Sequence, residues 1–104
     1  MMVKLVAIYT KPADVQDFEN HYREVHTPLV RKMPGLKKLE VSHFFGSPQG
    51  DPRYYMMAEM YFEDKDALFA ALKVPEGKAA GKDLMGFAGK YVHMMFSEVS
   101  EESP

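Results

Sequence analysis

Three segments of the chain have the composition of β-strands, and each carries apolar side chains on both of its faces. They are Val3–Thr10, Tyr54–Phe62 and Tyr91–Val99. Side chains alternate between the two faces of a strand, so a sheet covered by helices on one side should be polar at every second position. In the first segment, Val6 and Ile8 interrupt that alternation. One layer of helices would leave about eight large apolar side chains uncovered, and a monomer rarely exposes such a patch.

The simplest partner for the uncovered face is a second copy of the chain, packed sheet against sheet around a two-fold axis. This homodimer would enclose a space with Met and Tyr walls, where a small hydrophobic ligand could bind. The alternative is a monomer whose helix ends and loops wrap over the open face. The doubled apolar pattern favours the homodimer.

A helix is predicted after the first strand from apolar residues at spacings of three and four, namely Phe18, Tyr22, Val25 and Leu29. Asp14 is a suitable N-cap for it. Pro28 disfavours helical geometry at the preceding residue. We therefore expect the helix to kink or restart there, with Thr27 as a new cap and Pro28 as the first residue.

The later segments complete an α+β pattern. A second strand is predicted over Leu36–Phe45, a helix capped by Asp64 runs to Leu72, and a second helical segment covers residues 76–88. The order β-α-β-β-α-β is that of the ferredoxin-like fold, a four-stranded antiparallel sheet with helices on one face, strands one and three being central. Residues 1–99 form the predicted domain, and residues 100–104 form a frayed tail.

Composition excludes several classes of protein. The 13 Lys and Arg are scattered among 15 acidic residues, which argues against a nucleic-acid partner. The absence of cysteine excludes thiolate nucleophiles, iron–sulfur ligation and zinc fingers. No run of about 18 apolar residues predicts a membrane span, and the N-terminus lacks a signal-peptide pattern. We expect a cytoplasmic protein.

The four histidines are the side chains best suited to acid–base chemistry near neutral pH. His26 follows Tyr22 by four residues, so the two are neighbours on one helix face. We predict His26 as an acid or base with Tyr22 beside it; the structural alternative is that His26 only ties down the turn at Pro28. His21 is expected at the surface, because five residues at 100° each place it off the face of His26.

His43 and His93 lie on predicted strands, and His93 is the better pocket candidate because it shares a face with Tyr91 and Met95. The residues predicted to bind substrate are Tyr9, Phe18, Leu29, Met57, Tyr91, His93 and Met95. Neither a metal site nor a phosphate-binding glycine loop is apparent, and no cofactor is predicted.

The run from Phe18 to Leu36, with its His-x-Pro-Leu element and Pro-Gly-Leu ending, resembles the EthD family. Asp83-Leu-Met-Gly-Phe87 is a second match, and Tyr-x-Lys-Pro at the end of the first strand is a third. The resemblance implies a dimeric α/β barrel. It also implies a functional His26, with Tyr22 and Pro28 around it.

EthD proteins are named for a role beside a cytochrome P450 system that degrades a branched ether, and they are often labelled reductases. Relatives of similar architecture include cofactor-free monooxygenases, cyclases, isomerases and decarboxylases. The resemblance therefore implies an oxidoreductase or a cofactor-free acid–base enzyme that acts on a small hydrophobic compound in catabolism. The alternatives are a non-catalytic ligand-binding or accessory module for a partner oxygenase, and a haem-binding protein.

Overall fold

The computed structural model describes all 104 residues. Its elements are β1 (Val3–Tyr9), α1 (Val15–His21), a π-helical turn (Tyr22–His26), α2 (Thr27–Arg31), β2 (Lys38–His43), β3 (Met56–Phe62), α3 (Lys65–Lys73), α4 (Pro75–Ala88) and β4 (Val92–Glu98). The strands form one antiparallel sheet in the order β2-β3-β1-β4. This is the predicted ferredoxin-like topology, with β1 and β3 in the centre.

Both predicted aspartate caps are confirmed. The carboxylate of Asp14 accepts a hydrogen bond from the backbone N–H of Asp17 at 3.0 Å, and Asp64 accepts one from Ala67 at 2.8 Å. Each cap satisfies a backbone donor that has no partner within the helix. The caps therefore set where α1 and α3 begin.

Regular α-helix resumes at Thr27 after the π-helical turn, but Thr27 is not a cap and Pro28 is not the first residue, so that part of the prediction is wrong. Thr27 keeps helical geometry (φ −57°, ψ −44°), and its N–H donates to the carbonyl of Tyr22, five residues earlier. Its hydroxyl donates to the same oxygen at 2.9 Å. Pro28 has no N–H to donate. The chain therefore passes through the proline by widening one turn, without leaving helical geometry.

One face of the sheet packs on the helices and forms the core. In β1 the residues on this helix side are Val3, Leu5, Ala7 and Tyr9, and in β3 they are Met56, Ala58, Met60 and Phe62. All of them are buried. The edge strand β4 is covered less well, since Met94 and Phe96 lie on the helix side and stay exposed.

The other face of the sheet, the open face, is less apolar than expected. Its apolar side chains are Val6, Ile8, Met57, Tyr61 and Met95, fewer than the eight predicted. Lys4 and Glu59 lie among them and form an ion pair. The hydroxyl of Tyr61 donates to Glu40 at 2.8 Å. The open face thus combines an apolar strip with paired charges that the sequence pattern did not distinguish.

Residues 100–104 form neither helix nor strand and are exposed. None of the helices combines the length and the apolar character that crossing a bilayer requires.

Candidate functional site

A narrow cavity of about 40 Å³ lies between the helices and the helix side of the sheet. Strands β1 and β3 form its floor with Leu5, Ala7, Ala58 and Met60, and α4 forms its roof with Gly77, Ala80, Gly81 and Leu84. The volume is room for two or three water molecules. This cavity lies inside one protomer and is distinct from the space that we expected between two sheets.

The polar side chains in the cavity wall are Tyr9, Tyr22 and His26. The remaining lining residues are glycines and apolar side chains, including Met33, Met60 and Met94. Methionine is flexible and adapts to ligands of different shapes. The site is therefore an apolar, adaptable space with a few polar atoms on one side.

His26 is hydrogen-bonded to an acidic residue of α4. Its Nδ1 lies 3.0 Å from Oδ2 of Asp83, and only 5% of the residue is exposed. Because a carboxylate accepts but does not donate, Nδ1 carries the proton of this bond. His26 lines the cavity whereas Asp83 does not, and Nε2 lies on the side of the ring away from Asp83.

Burial lowers the pKa of His26, and the hydrogen bond that its ring donates to Asp83 offsets part of that effect. The imidazole is therefore neutral at pH 7. With the proton on Nδ1, the lone pair is on Nε2. A neutral ring with this tautomer can accept a proton from a molecule in the cavity.

The two tyrosines stand beside His26 as an aromatic cluster. The ring centroids of Tyr22 and His26 are 5.4 Å apart, and those of Tyr9 and Tyr22 are 6.0 Å apart. Burial raises the pKa of Tyr22 to about 12 and raises that of Tyr9 as well. Both hydroxyls therefore stay protonated and can donate hydrogen bonds.

The free polar atoms of these residues are not sealed off. No side-chain nitrogen or oxygen is both inaccessible and without a hydrogen-bond partner. Nε2 of His26 and the hydroxyls of Tyr9 and Tyr22 make no hydrogen bond within the chain, so each keeps access to the cavity or to solvent. They are the atoms available to a ligand.

Asp83 also binds a second histidine, which we had placed at the surface. Nε2 of His21 lies 2.8 Å from Oδ1 of Asp83. The assumption of 100° per residue separated His21 from His26, but the π-helical turn between them is wider and brings both onto one side. Phe87 packs against both rings, with centroids 4.3 Å from His21 and 5.2 Å from His26.

The predicted site residues fall into three groups. Tyr9, Tyr22 and His26 line the cavity together. Phe18, Leu29 and Tyr91 lie on the helix side but outside the cavity wall; Phe18 packs on both Tyr9 and Tyr22. Met57, His93 and Met95 lie on the open face, away from this cavity.

Sequence reasoning assigned no role to Asp83 or Phe87. The available signal was their spacing of four residues within the second family motif, which places both on one side of α4. It could not show that this side meets His21 and His26, because the two helices are distant in the chain. His43 forms a separate cluster, in which its Nε2 lies 3.0 Å from Oε2 of Glu19.

Comparison with known proteins gives a family match and close relatives. The model of the EthD domain matches residues 10–90. An uncharacterized 11.0 kDa protein from the thcB-thcC intergenic region of Rhodococcus erythropolis is 33% identical over 97 residues, covering 93% of this chain and 94% of the relative. A crystal structure of an EthD family protein from Bacillus halodurans is 48% identical, with a TM-score of 0.93, and covers 96% of this chain and 100% of that one.

More distant structures share the fold. A dimeric ferredoxin-like protein from Jannaschia is 20% identical with a TM-score of 0.70, covering 95% of this chain and 100% of that one. SnoaB, a cofactor-independent oxygenase from Streptomyces nogalater, is 16% identical with a TM-score of 0.71, covering 99% and 97%. At these identities the likeness concerns the fold alone.

Proposed function

This chain belongs to the EthD family, and on that premise we propose that it is a cofactor-independent acid–base enzyme acting on a small hydrophobic compound. The observation that carries the proposal is the placement of His26. Asp83 holds its ring through Nδ1, which leaves Nε2 free, and His26 lines an apolar cavity. A neutral, oriented imidazole in such a place is the arrangement that proton abstraction requires.

The proposed step moves one proton. Nε2 of His26 takes it from a C–H bond next to a carbonyl of the bound compound and becomes an imidazolium. The electron pair of the C–H bond moves onto the substrate, and negative charge develops on the carbonyl oxygen. The hydroxyls of Tyr22 and Tyr9 donate hydrogen bonds to that oxygen. This step begins isomerisations and cyclisations, and also oxygenations in which the carbanion then meets dioxygen.

The cavity wall supports a particular class of substrate. Its apolar lining favours aromatic or aliphatic carbonyl compounds over charged ones. The cavity is small in the absence of a ligand, so a ring-sized compound needs Met33, Met60 and Met94 to change rotamer. The same fold carries a cofactor-independent oxygenase in SnoaB, which supports the chemistry only by analogy of fold.

Hydrogen exchange provides a direct test. A panel of small aromatic ketones, beginning with 2-tetralone, is incubated with the protein in D₂O, and loss of the acidic C–H signal is followed by proton NMR. We expect the wild type to accelerate exchange over buffer. His26→Gln should lower the rate by about 10²–10⁴-fold, and Tyr22→Phe by a smaller factor.

His43→Gln is the matched control, because it removes another carboxylate-bound imidazole that does not line the cavity, and should leave the exchange rate unchanged. If panel members bind and none exchanges, the chain is instead a ligand-binding or accessory module. If no member binds or exchanges, the proposal is contradicted.

We also infer that two copies of the chain pair through the open face. The apolar strip of Val6, Ile8, Met57 and Met95 lies on the side of the sheet that no helix covers. The Jannaschia protein of the same fold is dimeric, which supports pairing, and the choice of the open face rests on the apolar strip. The cavities would then lie on the two outer sides of the assembly, one in each protomer.

A further inference from the structure

The carboxylate of Asp83 lies between two histidines, and the proposed chemistry uses only one of them. His21 binds Oδ1 at 2.8 Å and His26 binds Oδ2 at 3.0 Å. The exposed fraction of the side chains falls from 33% for His21 to 17% for Asp83 and 6% for His26. The three groups therefore form a line from the surface to the cavity wall.

The outer end of this line opens into two surface clefts. One contains Lys82 beside His21, and the other contains Asp14 and Asp17. Asp83 lines the first of these clefts, and water there can compete for its carboxylate because 17% of the side chain is exposed. A carboxylate on its own also turns readily about its last torsion, which has broad, two-fold preferences.

We propose that His21 is a positioning residue that fixes the tautomer of His26, an inference that adds to the function proposed above. Nε2 of His21 donates to Oδ1 and restricts the rotation of the carboxylate. Oδ2 then stays aimed at Nδ1 of His26, which keeps the proton on Nδ1 and the lone pair on Nε2. Phe87 lies against both imidazoles and holds their separation.

The π-helical turn makes this arrangement possible. His21 precedes the turn and His26 ends it. In a regular α-helix, five residues would rotate one imidazole about 140° away from the other. The i→i+5 bond from Thr27 to Tyr22 widens the turn, so that one carboxylate reaches both rings. Such turns occur often at functional sites.

The tautomer can be measured without any substrate. In protein labelled with ¹⁵N-histidine, long-range ¹H–¹⁵N correlations at pH 7.5 distinguish a protonated ring nitrogen from one with a lone pair. We expect wild-type His26 to be protonated at Nδ1. In His21→Phe, the ratio of the Nδ1–H to the Nε2–H form should fall about tenfold or more. This is the change in equilibrium expected from the loss of one hydrogen bond to a charged group.

Two variants separate positioning from a general structural role. His21→Gln retains an N–H donor and should restore most of the wild-type ratio. His43→Phe removes an imidazole whose Nε2 lies 3.0 Å from Oε2 of Glu19. This variant should leave the spectrum of His26 unchanged. Amide spectra of each variant establish that it is folded. If His21→Phe does not fold, the comparison rests on Asp83→Asn. That variant should shift the tautomer ratio of His26 in the same direction.

A wild-type tautomer ratio in folded His21→Phe would overturn the proposal, and so would a His26 protonated at Nε2 in the wild type. The result is independent of C–H exchange. The ratio can respond to His21 while no ketone exchanges, which would contradict only the enzymatic function. Exchange that persists with an unchanged ratio would contradict only the role of His21.

Discussion

The two faces of the sheet treat their polar side chains in opposite ways. On the open face the charged and hydroxyl groups bind one another: Lys4 pairs with Glu59, and Tyr61 donates to Glu40. On the helix side, Tyr9, Tyr22 and His26 each present an atom that binds nothing in the chain. Paired polar groups hold neighbouring strands together, whereas unpaired ones in an apolar wall are available to a ligand.

The two faces also differ in where their hydrogen bonds come from. A hydrogen bond within the chain contributes about 1 kcal/mol, and the open face has several. The free atoms of Tyr9, Tyr22 and His26 are accessible and not sealed off. Their hydrogen bonds are therefore left to water or to a ligand in the cavity.

The largest effect is expected on the open face. Met95→Glu places a charge in the apolar strip of both copies. Met95 is 48% exposed in one protomer, so loss of the two methionine contacts alone weakens pairing by about 1.5 kcal/mol or more, which is at least about tenfold in Kd. Sedimentation velocity at micromolar concentration should show monomers. Met85→Glu, an identical substitution at an exposed site of α4, should remain dimeric; a dimer in both variants would place the interface elsewhere.

The second prediction compares how the free energy of unfolding depends on pH through His26, on the helix side, and through Lys4, on the open face. Burial lowers the pKa of His26 below its unfolded value of about 6.5. Between the two values the unfolded chain binds more protons, so the free energy of unfolding falls as the pH drops below about 6.5, by at most about 1.4 kcal/mol per pH unit. Urea titrations of His26→Gln should lack this component of the slope.

The stability contributed by Lys4 depends on pH in the opposite direction, because it is lost at high pH. Its hydrogen bond to Glu59 raises the pKa of Lys4, so that contribution is complete below about pH 10.4 and is lost as the pH rises through the folded value. Lys4→Met should therefore change the free energy of unfolding without changing its slope between pH 5 and 8.

For the His26 prediction, the contradicting outcome is an acid slope that is the same in wild type and His26→Gln. That result would contradict the burial of a neutral imidazole.

The smallest effect concerns the roof of the cavity. Gly81 and Gly86 both lie in α4, and an added Cβ would meet no atom within 4 Å at either position. Alanine should stabilise the chain by about 0.5–1 kcal/mol in each case. Only Gly81 lines the cavity, so Gly81→Ala alone should also slow binding of 2-tetralone, followed by tyrosine fluorescence. Equal binding rates in both variants would show that the ligand does not bind against the roof at Gly81.

Much of the fold could be predicted because it depends on local patterns. Asp14 and Asp64 cap helices for a reason visible within four residues, and the order of strands follows from the order of elements. The neighbourhood of Tyr22 and His26 was likewise local, at a spacing of four. The side of the sheet that bears the cavity was not, since both sides of β1 contain apolar residues.

The partners of His26 could not be predicted in the same way. The position of His21 depends on a turn that is one residue wider than usual, and apolar spacing assumes a constant period. Asp83 alone on a helix has the appearance of a solvated charge. Its role appears only when α4 packs against the first helix, 57 residues away in the chain from His26.

The widened turn also confines the effect of one extra residue to the site. Because the five residues of the π-helical turn cover about the rotation that four cover in a regular helix, the residues after the turn keep their orientation. Val30 and Met33 stay in the interior. Removing one residue between Tyr22 and His26 should therefore alter the spacing of these two cavity side chains and leave the rest of the helix in place.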